Sequence, residues 1–206
     1  MFALSAALLL LVVLAQGENL CPGESSPVEV ETELWIQDVV SLDEDLGEVS
    51  LQAYHSARWN GEVPAPEVDK CANSEPRIYG QEFFDDNWHP QLSFTNERSF
   101  EMAESPVNSV FVADFGNGTI WANYRFRANF PCVRKADAFV CSVVVESYRF
   151  NSEKVALKPA REPLMLRSQL PKGWILESTG AEVQQVMYPL GLWDEVTFTL
   201  VFTKTG

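Results

Sequence analysis

Histidine is almost missing from this 206-residue chain, with only His55 and His89 present. His55 falls on the apolar face of a strand-like run and reads as a core residue, while His89 sits inside a Trp-x-Pro turn and reads as structural. The sequence has no Cys–His metal spacing, no P-loop, no G-x-S-x-G element and no D-x-D-x-D-G calcium loop. Asp85 and Asp86 adjoin and would point apart, unlike a working acid–base pair. These gaps weigh against an enzyme and call for neither cofactor nor metal.

Positive charge is also scarce, with 15 Lys and Arg against 29 Asp and Glu and a formal net charge of −14. Phosphate binding needs clustered Lys and Arg, so nucleic acid is not an expected partner. The same field attracts cations, although solubility alone would account for it. Internal repeats, low-complexity tracts and interdomain linkers are missing, and one domain with a substantial core is expected. Beyond the N-terminus no apolar run approaches the roughly 20 residues of a membrane span.

The N-terminus itself, "MFALSAALLLLVVLAQG", joins an apolar run to the small-residue pattern Ala15-Gln16-Gly17. It reads as a signal peptide over residues 1–17, leaving 18–206 as a soluble, secreted, extracellular domain. Export makes the four cysteines candidates for two disulfides: Cys132 and Cys141 are neighbours in sequence, which leaves Cys21 for Cys71. "NGT" at Asn117 is an N-glycosylation sequon.

From Val28 onward the apolar period is two. "VEVETELWI" puts Val28, Val30, Leu34 and Ile36 on one face and Glu29, Glu31 and Glu33 on the other. "EVSLQAYHSARW", "TIWANYRFRANF" and "EVTFTLVF" alternate in the same way, separated by Gly, Pro and Asn turns. Half-buried strands of this kind predict an all-β protein, an antiparallel immunoglobulin-like β-sandwich of about ten strands. Only Glu18 to Ser26 is a candidate for a short N-terminal helix. Three aromatics stand on the polar side of their strands: Tyr54 with Gln52, Ser56 and Arg58; Trp121 with Asn123, Arg125 and Arg127; Tyr148 with Ser142, Val144 and Glu146. With Tyr188 and Trp193 from "VMYPLGLWDE" they suggest a second buried environment, a subunit interface, a ligand pocket or both. Scattered surface aromatics and one misassigned strand face would be the plainer explanation.

The order of segments resembles the extracellular ligand-binding domain of Cys-loop receptors, the pentameric ligand-gated ion channels, and most closely their soluble relatives, the acetylcholine-binding proteins. "ELWIQDVVSLDEDLGEVSLQAYHSARWNG" fits the opening strand pair, "NWHPQLSFTN" the W-x-P-x-L…N signature, and "GTIWANYRFRANFPC" the approach to the first cysteine. "CSVVVESYRF" fits the strand after the second cysteine, and "VTFTLVFTKTG" the last strand before a channel's first membrane helix. The resemblance covers nearly all of Val28 to Lys204. It implies that Cys132 and Cys141 form the disulfide that names the family, and that the chain assembles as a homopentameric ring. The loop between them holds eight residues, is shorter than the family's and lacks its Phe-Pro-x-Asp core, and the sequence stops where a channel would enter the membrane. The expectation is therefore a ligand-binding domain without a channel.

By the same resemblance the ligand lies between adjacent copies. The principal face would take Ser93, Thr95, Glu146, Ser147, Tyr148, Tyr188 and Trp193. The complementary face would take Tyr54, Ala113, Trp121 and Asn123. Several positions depart from acetylcholine-binding proteins: the paired cysteines of the late hairpin are absent, Tyr148 replaces a tryptophan, and Thr95 replaces a tyrosine. Glu146-Ser147-Tyr148 is instead similar to anion-channel receptors for amino-acid transmitters, where a carboxylate meets the ligand's ammonium. A salt bridge from Glu146 to Arg125 or Arg127 is the alternative role. The expected partner is thus a small cationic or amino-acid-like ligand, with a primary amine or a bulkier amphipathic cation standing beside acetylcholine. A scaffolding pentamer without a ligand, and the excised extracellular domain of a channel, are the competing readings.

Overall fold

The computed structural model describes residues 26–63, 76–103, 109–167 and 169–205. The signal-peptide reading, Cys21 and Cys71, and all but the last residue of the expected N-terminal helix lie outside the described residues.

Alternation becomes strand wherever the sequence shows it. β1 (Val28–Asp43) and β2 (Glu48–Asn60) form a long antiparallel hairpin. The Asp43 carboxylate accepts the amides of Asp45 and Leu46, and Gly47 closes the turn at φ +64°, a conformation that favours glycine. Short elements follow: β3 (Arg77–Tyr79), the single helical turn α1 (Phe83–Asp86), β4 (Leu92–Phe94), β5 (Ser99–Met102) and β6 (Val110–Asp114). Long strands then resume with β7 (Thr119–Lys135), β8 (Ala138–Ser147), β9 (Val155–Leu166), β10 (Trp174–Tyr188) and β11 (Gly191–Lys204). The described residues thus hold eleven strands, in the predicted all-β sandwich.

β7 belongs to both sheets. Up to Pro131 it pairs with β2, and from Cys132 onward with β8, so the chain changes sheet between these two residues. The first sheet runs β9-β1-β2-β7, with β5 and β6 sharing the far edge of β7 and β3 on β6. The second runs β8-β11-β10, with β4 beside β8. Cys132 and Cys141 are register partners across the β7–β8 hairpin and are disulfide-bonded.

Among the described residues all pairings are antiparallel except β1 with β9. β9 carries Pro159 and Pro163, which cannot donate to a ladder, and it accordingly lies at the sheet edge. Register with β1 jumps there, from Thr32 opposite Pro159 to Leu34 opposite Leu164. Asp194 of the other sheet, itself buried, accepts the Leu157 amide at 3.0 Å and the Gln185 amide group at 2.9 Å, which ties β9 to β11.

The core lies between the sheets. Leu34, Leu51, Phe126 and Phe130 of the first sheet, and Val143, Val145, Phe198 and Phe202 of the second, are all fully buried. Each such side chain contributes about 1.5–3 kcal/mol by leaving water. His55 and Thr32 sit on this inner face too, and bond each other between Nε2 and Oγ1 at 2.6 Å. The pair satisfies its polarity internally, as buried polar groups must.

Candidate functional site

The outward face of the first sheet carries a concave surface. β2 presents Tyr54, and β7 presents Trp121, Asn123 and Arg125 in successive outward positions. Register places Tyr54 opposite Arg125, and Phe111 of β6 opposite Asn123. Together with Ile78 and Tyr79 of β3 these residues wall a cavity of about 580 Å³. Phe111 meets Trp121 edge-on at 5.7 Å. Ala113, also read from the sequence as a complementary-face position, is buried opposite Trp121 and lies outside the cavity walls.

Four polar atoms at this cavity are buried without a hydrogen-bond partner among the described residues: Tyr79 OH, Trp121 Nε1, Asn123 Oδ1 and Arg125 Nε. Polar groups removed from water without a partner are costly, and native proteins leave few of them.

The second set of residues gathers at β8 and the β10–β11 hairpin. Asn96 binds β8 as an extra rung, donating from Nδ2 to the Ser142 carbonyl at 2.9 Å and accepting the Val144 amide at 3.0 Å. Thr95 also donates its amide to the Val144 carbonyl, so the segment from β4 to Asn96 is held against β8. Ser93 lies in register with Glu146 and Leu92 with Ser147. Gln91, just ahead, has φ +50°, a conformation uncommon for a non-glycine residue, and its carbonyl accepts the Tyr148 amide at 2.8 Å. This clamp turns the chain out of β8 and leaves the Tyr148 side chain 81% exposed. Ser147 faces the other way: its hydroxyl donates to the Pro90 carbonyl, accepts the Phe150 amide, and is spent on structure.

Glu146 and Glu195 are register partners on β8 and β11. The Tyr188 hydroxyl lies 3.4 Å from one carboxylate and 3.5 Å from the other. Partial burial pushes the Glu146 pKa up, the neighbouring Glu195 charge adds to that, and the Tyr188 hydrogen bond offsets part of it. Within the chain Glu146 therefore pairs with Tyr188, while Arg127 bonds Gln52. Trp193 is 9% exposed: its Nε1 donates to the Ser147 carbonyl at 2.9 Å, and its ring meets Tyr188 edge-on at 5.6 Å. It supports Tyr188 from behind.

The hairpin closes in two residues, Pro189 and Leu190, and presents an apolar tip in which Met187 is 70% and Leu190 81% exposed. None of these hairpin and β8 residues lines the Tyr54–Trp121 cavity, so a single chain does not bring the two sets together. Sequence reading missed Ile78, Tyr79 and Phe111 in the cavity, and Met187, Leu190 and Glu195 at the hairpin. The cue for Glu195 was its place on the outward face of "EVTFTLVF", one strand from Glu146. Asn117 is exposed in the β6–β7 turn, with its side-chain oxygen accepting the Thr119 amide.

Residues 16–204 match the family model for the neurotransmitter-gated ion-channel ligand binding domain. Among curated proteins, the acetylcholine-gated chloride channel subunit acc-1 of Caenorhabditis elegans is 32% identical over 193 residues, covering 87% of this chain and 40% of the relative. The acetylcholine-gated chloride channel subunit acc-2 of the same organism is 30% identical over 185 residues, covering 85% and 41%. The serotonin-gated chloride channel mod-1, also from Caenorhabditis elegans, is 25% identical over 203 residues, covering 93% and 40%. The chain thus spans about two fifths of the length of these relatives.

Proposed function

Because this chain belongs to the neurotransmitter-gated ion-channel ligand-binding domain family, a family of receptors and not of enzymes, we propose that it captures a small amine at the junction between two copies of itself. One copy supplies Glu146, Tyr148 and Tyr188, and its neighbour supplies Tyr54, Trp121 and Asn123. The observation that carries this reading is the cavity at Trp121, with four polar atoms that have no partner among the described residues. Such groups are completed by what docks there. A heterologous contact of this kind, repeated head to tail at the right rotation, closes into a ring, and the family resemblance supports a homopentameric one.

The ligand's ammonium would rest against the Tyr148 and Trp121 faces, where cation–π attraction is worth about 0.5–2 kcal/mol per ring once water is excluded. Glu146 would accept an N–H of a primary ammonium as a charge-assisted hydrogen bond, and would act on a quaternary ammonium through its charge alone. The apolar tip of the β10–β11 hairpin, Met187 to Leu192, would cover it. Acetylcholine, a quaternary ammonium, and serotonin, a primary amine, which the names of the relatives supply, are the first ligands to test. A secreted domain carrying a glycan at Asn117 completes the reading.

A second reading has an observation of its own. Val40, Leu46 and Val133 are exposed near the end of the sandwich that holds the Cys132–Cys141 bond. An apolar surface there would suit the extracellular part of a channel subunit, with further protein beneath it. Separating culture medium from membranes in cells expressing the whole gene decides between the two. Ligand capture is tested by tryptophan fluorescence of the assembled protein during titration with acetylcholine and serotonin. A saturable change that Trp121→Ala removes, with melting behaviour retained, supports capture. No change in an intact ring leaves a scaffold.

A further inference from the structure

Three arginines face outward from β2 and the first-sheet part of β7: Arg58, Arg125 and Arg127. Two of them have a carboxylate residue directly across the ladder, Arg58 opposite Glu31 and Arg127 opposite Glu101. Opposite charges in such register stabilise each other. Arg58 also shares a smaller hollow of about 210 Å³ with Glu31, Glu33 and Glu162. Arg125 has no such neighbour. It stands opposite Tyr54, and it is the one charged side chain among the residues that line the Tyr54–Trp121 cavity. Its Nε is buried without a partner, and no carboxylate of the described residues forms an ion pair with it.

The carboxylate cluster has the converse deficit. Glu146 and Glu195 stand opposite each other on β8 and β11, and like charges in register destabilise a sheet. Their side-chain partners among the described residues are neutral: the Tyr188 hydroxyl for both, and the Gln184 amide, which donates to Glu195 at 2.8 Å. A cation placed against Glu146 would offset the burial and the Glu195 charge that raise its pKa. One face of the chain therefore carries a cation without an anion, and the other carries two anions without a cation. An unpaired guanidinium in the cavity would also repel the ammonium that the cavity is proposed to take.

We propose that in the empty junction Arg125 of one copy pairs with Glu146 of the next, and that a ligand's ammonium binds by taking the guanidinium's place. This rests on the junction reading, which brings the Glu146 face of one copy against the Tyr54–Trp121 cavity of its neighbour. An arginine–carboxylate contact is directional, so the pair also sets the register of two copies before any ligand arrives. Arg125 thereby determines specificity: a ligand must bring a positive charge to Glu146 to compensate for the pair it breaks, and an uncharged molecule of the same shape does not.

The test is a double-mutant cycle on ring assembly without ligand, read by sedimentation velocity over a dilution series. Arg125→Gln and Glu146→Gln should each weaken assembly about tenfold, and the double variant should be no weaker than either, because both break one contact. Arg125→Lys keeps the charge and should stay within about threefold of the wild type. Amine binding is then titrated at protein concentrations where the rings are intact. Arg125→Gln should raise the affinity for acetylcholine and serotonin several-fold, whereas Arg127→Gln, on the same strand but outside the cavity lining, should leave it within about twofold. Single effects that multiply in the double variant would overturn the proposal, and saturable amine binding by the wild type would then leave the junction reading standing. A lower amine affinity in Arg125→Gln would overturn it too, and would place the arginine against an acceptor group of the ligand. No saturable binding of either amine to the wild type would overturn the capture reading together with this one.

Discussion

Acidification should destabilise this protein most strongly through His55, while burial lowers the His89 pKa in the same direction. In the unfolded chain His55 takes a proton near pH 6.5, whereas in the fold burial refuses the proton until about pH 4. Between those values the unfolded state binds more protons. Stability is therefore complete above pH 6.5 and declines as the pH falls towards 4. The gap from 6.5 to about 4 corresponds to about 3 kcal/mol, most of it lost by pH 4.5. The unfolded state gains nothing comparable from Thr32, whose hydroxyl does not titrate. Carboxylates titrate in the same range, and with a net charge of −14 their protonation relieves self-repulsion, so a reference protein is needed. His55→Gln removes the titrating ring while keeping a polar side chain opposite Thr32. Thermal unfolding by circular dichroism at pH 7.5 and 4.5 gives the comparison. About 1 kcal/mol shifts Tm by about 2–4 °C in a domain of this size. The wild type should lose about 5–10 °C more than His55→Gln across that interval. Parallel pH profiles for the two proteins would refute the reasoning, because the burial cost would then fall on some other group.

Replacing Cys132 and Cys141 together by serine should cost about 2–3 kcal/mol of stability in urea unfolding, from the entropy of the opened loop, with amine binding retained. Asn96→Ala leaves the Ser142 carbonyl and the Val144 amide without their partner; it should cost about 1–3 kcal/mol and loosen β4, and hence lower amine affinity as well. Amine affinity should fall as the pH is lowered through the raised pKa of Glu146, since only the carboxylate attracts an ammonium; in Glu146→Gln calorimetric titrations should show weaker binding and a flat pH profile.

Alternation made the large strands legible, because a half-buried strand writes its inside and outside directly into the residue types. Val30, Leu34, Val49, Leu51, Phe198 and Phe202 all face the core as that pattern requires. It also identified Tyr54 and Trp121 as outward, and both line the larger cavity. Trp193 was less legible. Pro189 and Gly191 in "YPLGLW" suggest an open loop, yet β10 and β11 run to within two residues of each other and bury the indole against Ser147. β9 was hidden for a different reason: its two prolines mask a strand that edge position tolerates. Tyr79 and Phe111 come from strands of three and five residues, too short to show a period, and only pairing with β7 through β6 brings them to Trp121. The carboxylate pair Glu146–Glu195 depends on β8–β11 register, which no local pattern specifies.

The central claim is that the amine site forms between copies, and a complementation experiment addresses it most directly. Tyr188→Ala disables the principal face of a copy, and Trp121→Ala disables the complementary face. Each variant alone should bind no amine. Co-expressed in equal amounts and allowed to assemble together, they should recover about a quarter of the wild-type sites, because one junction in four then joins two intact faces. A site contained within one chain would recover nothing, and that result, obtained with mixed rings demonstrated by mass spectrometry, would contradict the account.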